Sequence, residues 1–437
     1  MINKKVLVCG SLDSLQEFLN SPFNRTYEVA AILTEEKARI DAIRTGGGIE
    51  IEILQPENLP KFIYKFVDGV ILTDRKNFPA QLNYFVSKGL EPRKIILWNN
   101  QGTPEIFTLR DKDGVDVAFM EGLQFHIRKQ EDFNFVNQIR GQLASQKRFY
   151  ALQPSQYKQA IEFQYRQATG QIMDLDNPKN FTEKLQWLKL YDSTPIKTRL
   201  ADKYLVRQWV AEKIGEQYLI PLLGVWDNFD DIDFDLLPNQ FVLKTNHASG
   251  TNIIVRDKKT FDKENAREKI NAWLEIDYGV LFYELHYNNL KKKIIAEKFL
   301  TDGKNLDLID YKFMCFNGKP FICQYLSERS IELTLDYFDL NWKHLDIERS
   351  DHPNSKHPEK ISKPKNFELM KKLAAKLCKD FAFVRVDFYE VADKIYFGEM
   401  TFVPAAGNIS FKPVGSNEGL GNLLTLPAPS EFKQLSR

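Results

Sequence analysis

Asp387 and Glu399 are the residues whose chemistry stands out first. They lie on two apolar runs, Phe383-Val384-Arg385-Val386-Asp387-Phe388-Tyr389 and Lys394-Ile395-Tyr396-Phe397-Gly398-Glu399-Met400-Thr401, joined through a turn at Ala392-Asp393. Two such runs read as adjacent antiparallel strands, which makes Asp387 and Glu399 candidate cross-strand neighbours. Strand side chains alternate, so Arg385 shares a face with Asp387, and Glu399 shares one with Thr401. Two buried carboxylates side by side repel and call for a cation. Magnesium, which takes oxygen ligands and usually holds phosphate as well, is the natural one. The plain alternative is a pair of charged strand residues facing water.

A second stretch points to the same chemistry. Phe241 to Val255 reads FVLKTNHASGTNIIV: an apolar strand ending in Lys244, a loop of small and polar residues, and a second apolar strand. Asn, Ser and Gly between two strands are a hairpin signal. A small-residue loop lets backbone N–H groups come close to an anion, and a lysine entering it adds a point charge suited to phosphate. An ordinary hairpin with a solvated lysine is the alternative. Asp310 to Ile322 is a further hairpin, with Asn317-Gly318 in its turn.

The elements that must position these residues belong to a chain of 437 residues, long enough for two or three domains with a sizeable core. Hydrophobic content of 43% fits a globular protein, and a formal net charge of +1 argues against bulk nucleic-acid binding. Cys9, Cys315, Cys323 and Cys378 show no CxxC spacing and read as reduced, buried thiols. The apolar run after the N-terminus stops too soon for a signal peptide, and no run approaches a membrane span. Together these place the protein in the cytoplasm, without a transmembrane segment.

Strands are expected at Lys5–Cys9, Tyr27–Leu33, Ile49–Leu54, Gly69–Leu72 and Lys94–Trp98, with helical patterns between several of them. Alternation of this kind indicates a small parallel Rossmann-like α/β sheet. The loop after the first strand has one glycine, Gly10, so a dinucleotide fingerprint is absent. The expected domains are residues 1–124 (the α/β domain), 125–215 (a charged helical linker) and 216–437 (the catalytic part). Within the linker, Asn180 to Leu188 reads as a helix start with Thr182 as its N-cap. Asp351 to Lys365, rich in Pro, Lys and His, reads as an exposed loop.

From roughly Asp176 to Pro427, and not in the first domain, the chain resembles the ATP-grasp enzymes, specifically the TupA-like branch associated with teichuronopeptide and other surface-polysaccharide biosynthesis. Four motifs in the family's order carry the resemblance: Asp202-Lys203, Lys244 with its loop, Ile294 to Leu300, and Arg385-x-Asp387 with Glu399-x-Thr401. The resemblance implies an α+β ATP-grasp fold binding ATP and two magnesium ions. Lys203 would reach the nucleotide phosphates from a helix. Lys244 would bind phosphate, and the loop bearing His247, Ser249 and Gly250 would close over the β- and γ-phosphates, with fewer glycines than is usual. Glu297, Lys298, Phe299 and Leu300 would form the adenine hinge, for which a strand edge offering backbone donor and acceptor is physically suited. Lys312 is a candidate for the transferred phosphate, with a surface role as the alternative. Asp387 and Glu399 would hold the metal ions, with Thr401 where the family has asparagine, and Arg385 would face the charge that develops in the reaction.

The activity implied is phosphorylation of a carboxylate by ATP, followed by attack of an amine on the acyl phosphate. By the same resemblance, the carboxylate belongs to a uronic acid of a surface polysaccharide precursor or to an amino acid, and the amine to an amino acid or another amine. A glycosyltransferase-like enzyme, an ATP-dependent kinase and a non-catalytic nucleotide-binding module are the alternatives.

Overall fold

The computed structural model of the chain describes residues 115–301, 308–327 and 332–429, together with shorter stretches between positions 4 and 110. The described residues fall into two compact units, 1–152 with 262–276, and 153–261 with 277–436.

In the first unit the strands are β1 (Lys4–Cys9), β2 (Tyr27–Leu33), β3 (Ala42–Arg44), β4 (Glu50–Leu54), β5 (Gly69–Leu72) and β6 (Ile95–Leu97), in the order β3-β4-β2-β1-β5-β6. β1 pairs in parallel with β2 and β5, β2 with β4, and β5 with β6; only β3 runs antiparallel, at an edge. Strands buried on both faces must be apolar throughout, which is why Val6, Leu7, Val8, Val70, Ile71 and Leu72 follow one another without polar interruption and are all buried. The expected small parallel sheet is therefore present. A meander that the sequence reading does not anticipate follows, β7 (Phe107–Arg110), β8 (Asp116–Met120) and β9 (Leu123–Ile127). Helices Gln130–Ala151 and Lys263–Glu275 belong to the same unit, and Phe135 packs edge-on against both Phe125 and Trp273.

The second unit holds two antiparallel sheets. One has the order β10-β13-β11-β12, formed by β10 (Leu222–Trp226), β11 (Phe241–Thr245), β12 (Asn252–Val255) and β13 (Ile294–Lys298). The other comprises β14 (Asp310–Phe316), β15 (Lys319–Ser327), β16 (Thr334–Asp339), β18 (Phe383–Val391) and β19 (Lys394–Thr401), ordered β16-β15-β14-β18-β19. A short pair, β17 (Glu348–Arg349) with β20 (Phe411–Lys412), lies apart from them. The β14–β15 turn has Asn317 and Gly318 at φ of 48° and 78°, the left-handed pair that a two-residue hairpin turn needs. Beneath the larger sheet Phe181, Phe316 and Phe383 pack ring against ring, and Phe367 of helix Phe367–Cys378 stacks on Phe313. This is the expected α+β arrangement after the parallel sheet.

Helix Phe181–Tyr191 corrects one expectation. Its cap is Asn180, not Thr182: Asn180 Oδ1 accepts from the Glu183 N–H at 3.0 Å, and Glu183 Oε2 accepts from the Asn180 N–H at 3.2 Å. Glutamate three residues after the cap closes a reciprocal box, and only Asn180 has one at that spacing. Thr182 is buried instead and shares a hydrogen bond of 2.9 Å with Tyr165.

From the same helix Gln186, 1% exposed, donates to the Ala406 carbonyl at 3.1 Å and to Asn408 at 3.0 Å, fixing a turn in which Ala405, Ala406 and Gly407 all have positive φ. At Gly407, where φ is 66°, a Cβ would stand 2.8 Å from Gln186 Nε2 and 3.1 Å from Leu185 Cβ. Backbone strain and overpacking then act together, so Gly407→Ala should cost about 2–3 kcal/mol in urea unfolding; a loss under about 0.5 kcal/mol would show that the turn can yield.

Candidate active site

Asp387 lies on β18 between Val386 and Phe388, both fully buried, so its carboxylate needs partners close at hand. β18 supplies one itself. Arg385, two residues earlier on the same face, donates from Nε to Asp387 Oδ1 and from Nη2 to Oδ2, both at 2.7 Å. β14 supplies the second: its register sets Lys312 opposite Asp387, and the Lys312 ammonium donates to Asp387 and, at 3.0 Å, to Asp310. The Lys312 side chain therefore points inward, between two carboxylates.

Across the other edge the pairing with β19 is irregular. Val386 faces Met400 and Phe388 faces Phe397, so Gly398 and Glu399 together stand against the single Asp387. An inserted residue of this kind bends the strand and re-aims a side chain. Gly398 sits close against Asp387: a Cβ there would lie 3.1 Å from Tyr389 Cε2 and 3.2 Å from the Asp387 carbonyl, so a side chain would need its neighbours to shift by a few tenths of an ångström. The bulge turns Glu399 so that its Oε1 accepts from Arg385 Nη2 at 3.0 Å, and the same guanidinium nitrogen reaches Thr401 Oγ1 at 3.0 Å. Arg385 thus binds all three expected metal-site residues at once. Burial works against its charge, but Asp387, then Glu399 and Asp310, outweigh that and push its pKa above the usual value.

Glu399 differs from Asp387 in being open: its side chain is 38% exposed against 1%. Burial by the surrounding chain would raise its pKa, yet Arg385, Lys312, Lys203 and Lys244 overcome this and hold it at about 2. An ionised carboxylate with a free side, a second carboxylate behind it and a hydroxyl beside it make a hard oxygen donor set that fits magnesium.

Lys244 approaches from β11 of the smaller sheet; Lys203 does so from the turn between helices Pro195–Ala201 and Val206–Ile214, not from a helix as expected. Asp202 orients Lys203: its Oδ1 accepts from the Tyr204 and Leu205 N–H groups at 2.7 and 3.0 Å, its Oδ2 from Asn246 at 2.6 Å, and the Lys203 N–H donates to the Asn246 carbonyl at 3.0 Å. The Lys203 ammonium then donates to the Ala248 carbonyl, inside the small-residue loop, and burial lowers its pKa. In that loop His247 is buried while Ser249 and Gly250 are exposed, with Gly250 at φ of 73°. Tyr278 is hydrogen-bonded to Ser249.

Glu297 on β13 lies opposite Val242 of β11, two positions from Lys244 and so on the same face, and receives Lys244 on Oε2 at 2.6 Å and Arg207 on Oε1 at 2.9 Å. Both of its oxygens are engaged by cations, and Arg207 was not among the expected residues. Lys298 donates its N–H to the Pro221 carbonyl at 2.9 Å, so this amide is used within the protein. Phe299 stacks under the Arg256 guanidinium, and Leu300 packs with Ile220 and Val391. The structure thus brings Lys203, Lys312, Arg385, Asp387, Glu399 and Thr401 into one charged group, which Lys244 and Glu297 join through their electrostatic interaction with Lys203, while Lys298 to Leu300 lie at the end of β13. Asp310 and Arg207 were missed because each gains its meaning from a partner far away in sequence.

Arg385, Glu399 and Thr401 open onto a cavity of about 590 Å³ that Lys203 and Ser249 also line. Its remaining wall includes Tyr278, Glu284, Tyr287 and the Ala405-Ala406 turn. That volume suits a small-molecule ligand.

The sequence profile described as TupA-like ATPgrasp matches residues 183–425, more than half of the chain, and the chain belongs to that family. It is thereby an ATP-grasp protein. Among solved structures, the D-alanine–D-alanine ligase of Helicobacter pylori is 14% identical over 52% of this chain and 59% of its own, with a TM-score of 0.30. The chain therefore spans less than two thirds of that ligase. The D-alanine–D-alanine ligase of Bacillus anthracis, complexed with ATP, is 12% identical over 92% of this chain and 86% of its own, with a TM-score of 0.28. The ATP-grasp ligase PsnB, complexed with a minimal precursor, Mg and ADP, is 8% identical over 91% and 88%, with a TM-score of 0.28. Comparison with curated proteins gives no match.

Asp387→Asn tests how the charged group is held. Neutralising it leaves two buried cations facing an amide, although Lys312 keeps Asp310 and Arg385 keeps Glu399. Removing one partner of a buried ion pair costs about 3–5 kcal/mol, and the remaining contacts put this case near 3. Urea unfolding should show that loss; a change below about 1 kcal/mol would mean that Asp387 does not anchor the pair.

Proposed function

We propose that this protein joins a carboxylate to an amine through an acyl phosphate, at the expense of ATP, in the cytoplasm. The carboxylate we assign is that of a uronic acid in a surface polysaccharide or its precursor, and the amine that of an amino acid or a related compound. The observation that carries the reaction is Arg385, which binds Asp387, Glu399 and Thr401 and lines a cavity that Lys203 also lines. The uronic acid comes from the family's association with surface polysaccharides. The ATP site lies in the second unit, outside the first 124 residues, because every residue named here does.

Phosphoryl transfer to a carboxylate needs positioning and charge neutralisation more than covalent participation. Lys203 and Lys244 would hold the phosphates, and the loop from His247 to Gly250 would cover them. Asp387 and Glu399, with Thr401 beside them, would hold two magnesium ions, which when bound supply the neutralising charge. Arg385 is fixed before substrate arrives, so its charge acts on the developing oxyanion without reorganisation. Lys312, held between Asp310 and Asp387, keeps the carboxylate group from carrying excess negative charge.

Two measurements test this reading. A non-hydrolysable ATP analogue at about 100 times its dissociation constant should stabilise the full chain by about 2.7 kcal/mol, and only with magnesium present; stabilisation that ignores magnesium would remove the metal from the site. Glu399→Gln should lower ADP release by a factor on the order of 10² to 10³ while melting close to the parent, because the amide keeps the shape and loses the charge. Unchanged ADP release in that variant would take Glu399 out of the reaction. ADP release should itself be found by presenting uronic acids and amino acids as carboxylates and amino acids and amino sugars as amines, with product masses recorded.

A further inference from the structure

The cavity beside Arg385 carries a second carboxylate that the reaction as described does not use. Glu284 is 4% exposed, yet its side chain lines the cavity. It stands at the start of the turn Leu285–Tyr287, which packs on helices Phe181–Tyr191, Pro195–Ala201 and Tyr278–Leu281. The charge that answers it comes from behind. Lys189, on helix Phe181–Tyr191, is completely buried, and its Nζ has no hydrogen-bond partner among the described residues. An ammonium without hydrogen bonds in the interior is costly and is tolerated only beside an opposite charge. Lys189 and Glu284 interact electrostatically, and burial drives Lys189 down and Glu284 up, each towards its neutral form.

We propose that Glu284 receives the amine substrate: it docks the ammonium of a primary amine in this cavity and takes one of its protons. This rests on the ligase reading above. An amine at neutral pH is an ammonium with no lone pair to attack with, and it must lose a proton inside the site. At the Arg385 end the cavity offers cations that repel an ammonium, with Glu399 already paired to Arg385. Glu284 is the other carboxylate on the wall, and the cation it interacts with, Lys189, is not among the residues that line the cavity. A base works best when its pKa approaches the working pH, and burial moves Glu284 in that direction. The other groups around it do not compete. Tyr278 and Tyr287 are held protonated by burial, and His286, kept neutral by burial with Lys197 and Lys189 nearby, carries no charge.

The step balances. The ammonium gives one proton to the Glu284 carboxylate. The freed lone pair attacks the carbonyl carbon of the acyl phosphate, the bond from that carbon to the phosphate oxygen breaks, and phosphate leaves. The second nitrogen proton goes to the phosphate. An amide, hydrogen phosphate and protonated Glu284 result. Lys189 is a positioning residue, because its charge sets how readily Glu284 gives up that proton.

Hydroxylamine separates the roles, since it is largely unprotonated at neutral pH and needs no docking of an ammonium. With the carboxylate and amine found by the ADP-release panel, Glu284→Gln should lose amide formation by a factor of at least about 10², the usual scale for a lost base. Its hydroxamate formation should stay within about threefold of the parent. Glu284→Asp, which keeps a carboxylate drawn back by one methylene, should recover part of the amide rate. Lys189→Met removes the cation that favours ionised Glu284, so the pH midpoint of amide formation should move upward, a change that a purely structural lysine would not cause. Equal loss of amide and hydroxamate in both Glu284 variants, or no loss of either, overturns the inference while leaving the ligase reading standing. If the parent protein gives neither ADP nor hydroxamate with any carboxylate of the panel, the ligase reading falls and this assignment falls with it.

Discussion

The second unit is organised around one buried guanidinium. Arg385 lies on a strand with apolar neighbours on both sides, where an uncompensated charge could not remain. Its donors reach three residues on two strands: Asp387 on its own strand, Glu399 and Thr401 on the next. Satisfying Arg385 therefore also fixes how β18 and β19 pair. A regular ladder would set one residue of β19 against Asp387; the bulge sets two, and it is the extra residue that brings the Glu399 carboxylate to the guanidinium. Gly398 eases this arrangement, since a Cβ in its place would crowd the Asp387 carbonyl at 3.2 Å. The electrostatic need of a core position and the aim of a reactive side chain are met by the same local distortion.

Much of this was legible in the sequence, for reasons tied to distance along the chain. Val6–Cys9, Val29–Leu33 and Val70–Leu72 are continuous apolar runs, so their strands could be read directly, whereas their order across the sheet is set by contacts that no run contains. Arg385, Asp387 and Glu399 belong to one hairpin, and local periodicity was enough to bring them together. The bulge was hidden, since strict alternation leaves no place for an extra residue. The Asn180 cap was within reach, because Glu183 follows it at the required spacing; Thr182 is as able a capping type, but lacks that partner. Arg207 lies 90 residues from the Glu297 it engages, and Glu284 is an ordinary surface-type residue until Lys189 is placed behind it. Pairings of this length are made by the fold, not by the pattern.

The same partners decide how strongly the site can hold an anion. Lys203 donates to the Ala248 carbonyl, Lys244 to Glu297, and Lys312 to Asp310 and Asp387. A phosphate oxygen arriving at any of these lysines meets a cation that already has an acceptor, so it must share or displace that acceptor. The gain from each contact is then the difference between two charge-assisted hydrogen bonds, which is smaller than either alone. Lys203 has the weakest hold, a neutral carbonyl, and should turn to phosphate most readily. Lys312 has the strongest, two buried carboxylates, and is the least free to leave. Lys244 lies between them, because Glu297 loses less when Lys244 departs: Arg207 stays on its other oxygen. In the proposed ligase, graded release of this kind would let the residues nearest the loop bind the nucleotide while the charged group around Arg385 stays assembled.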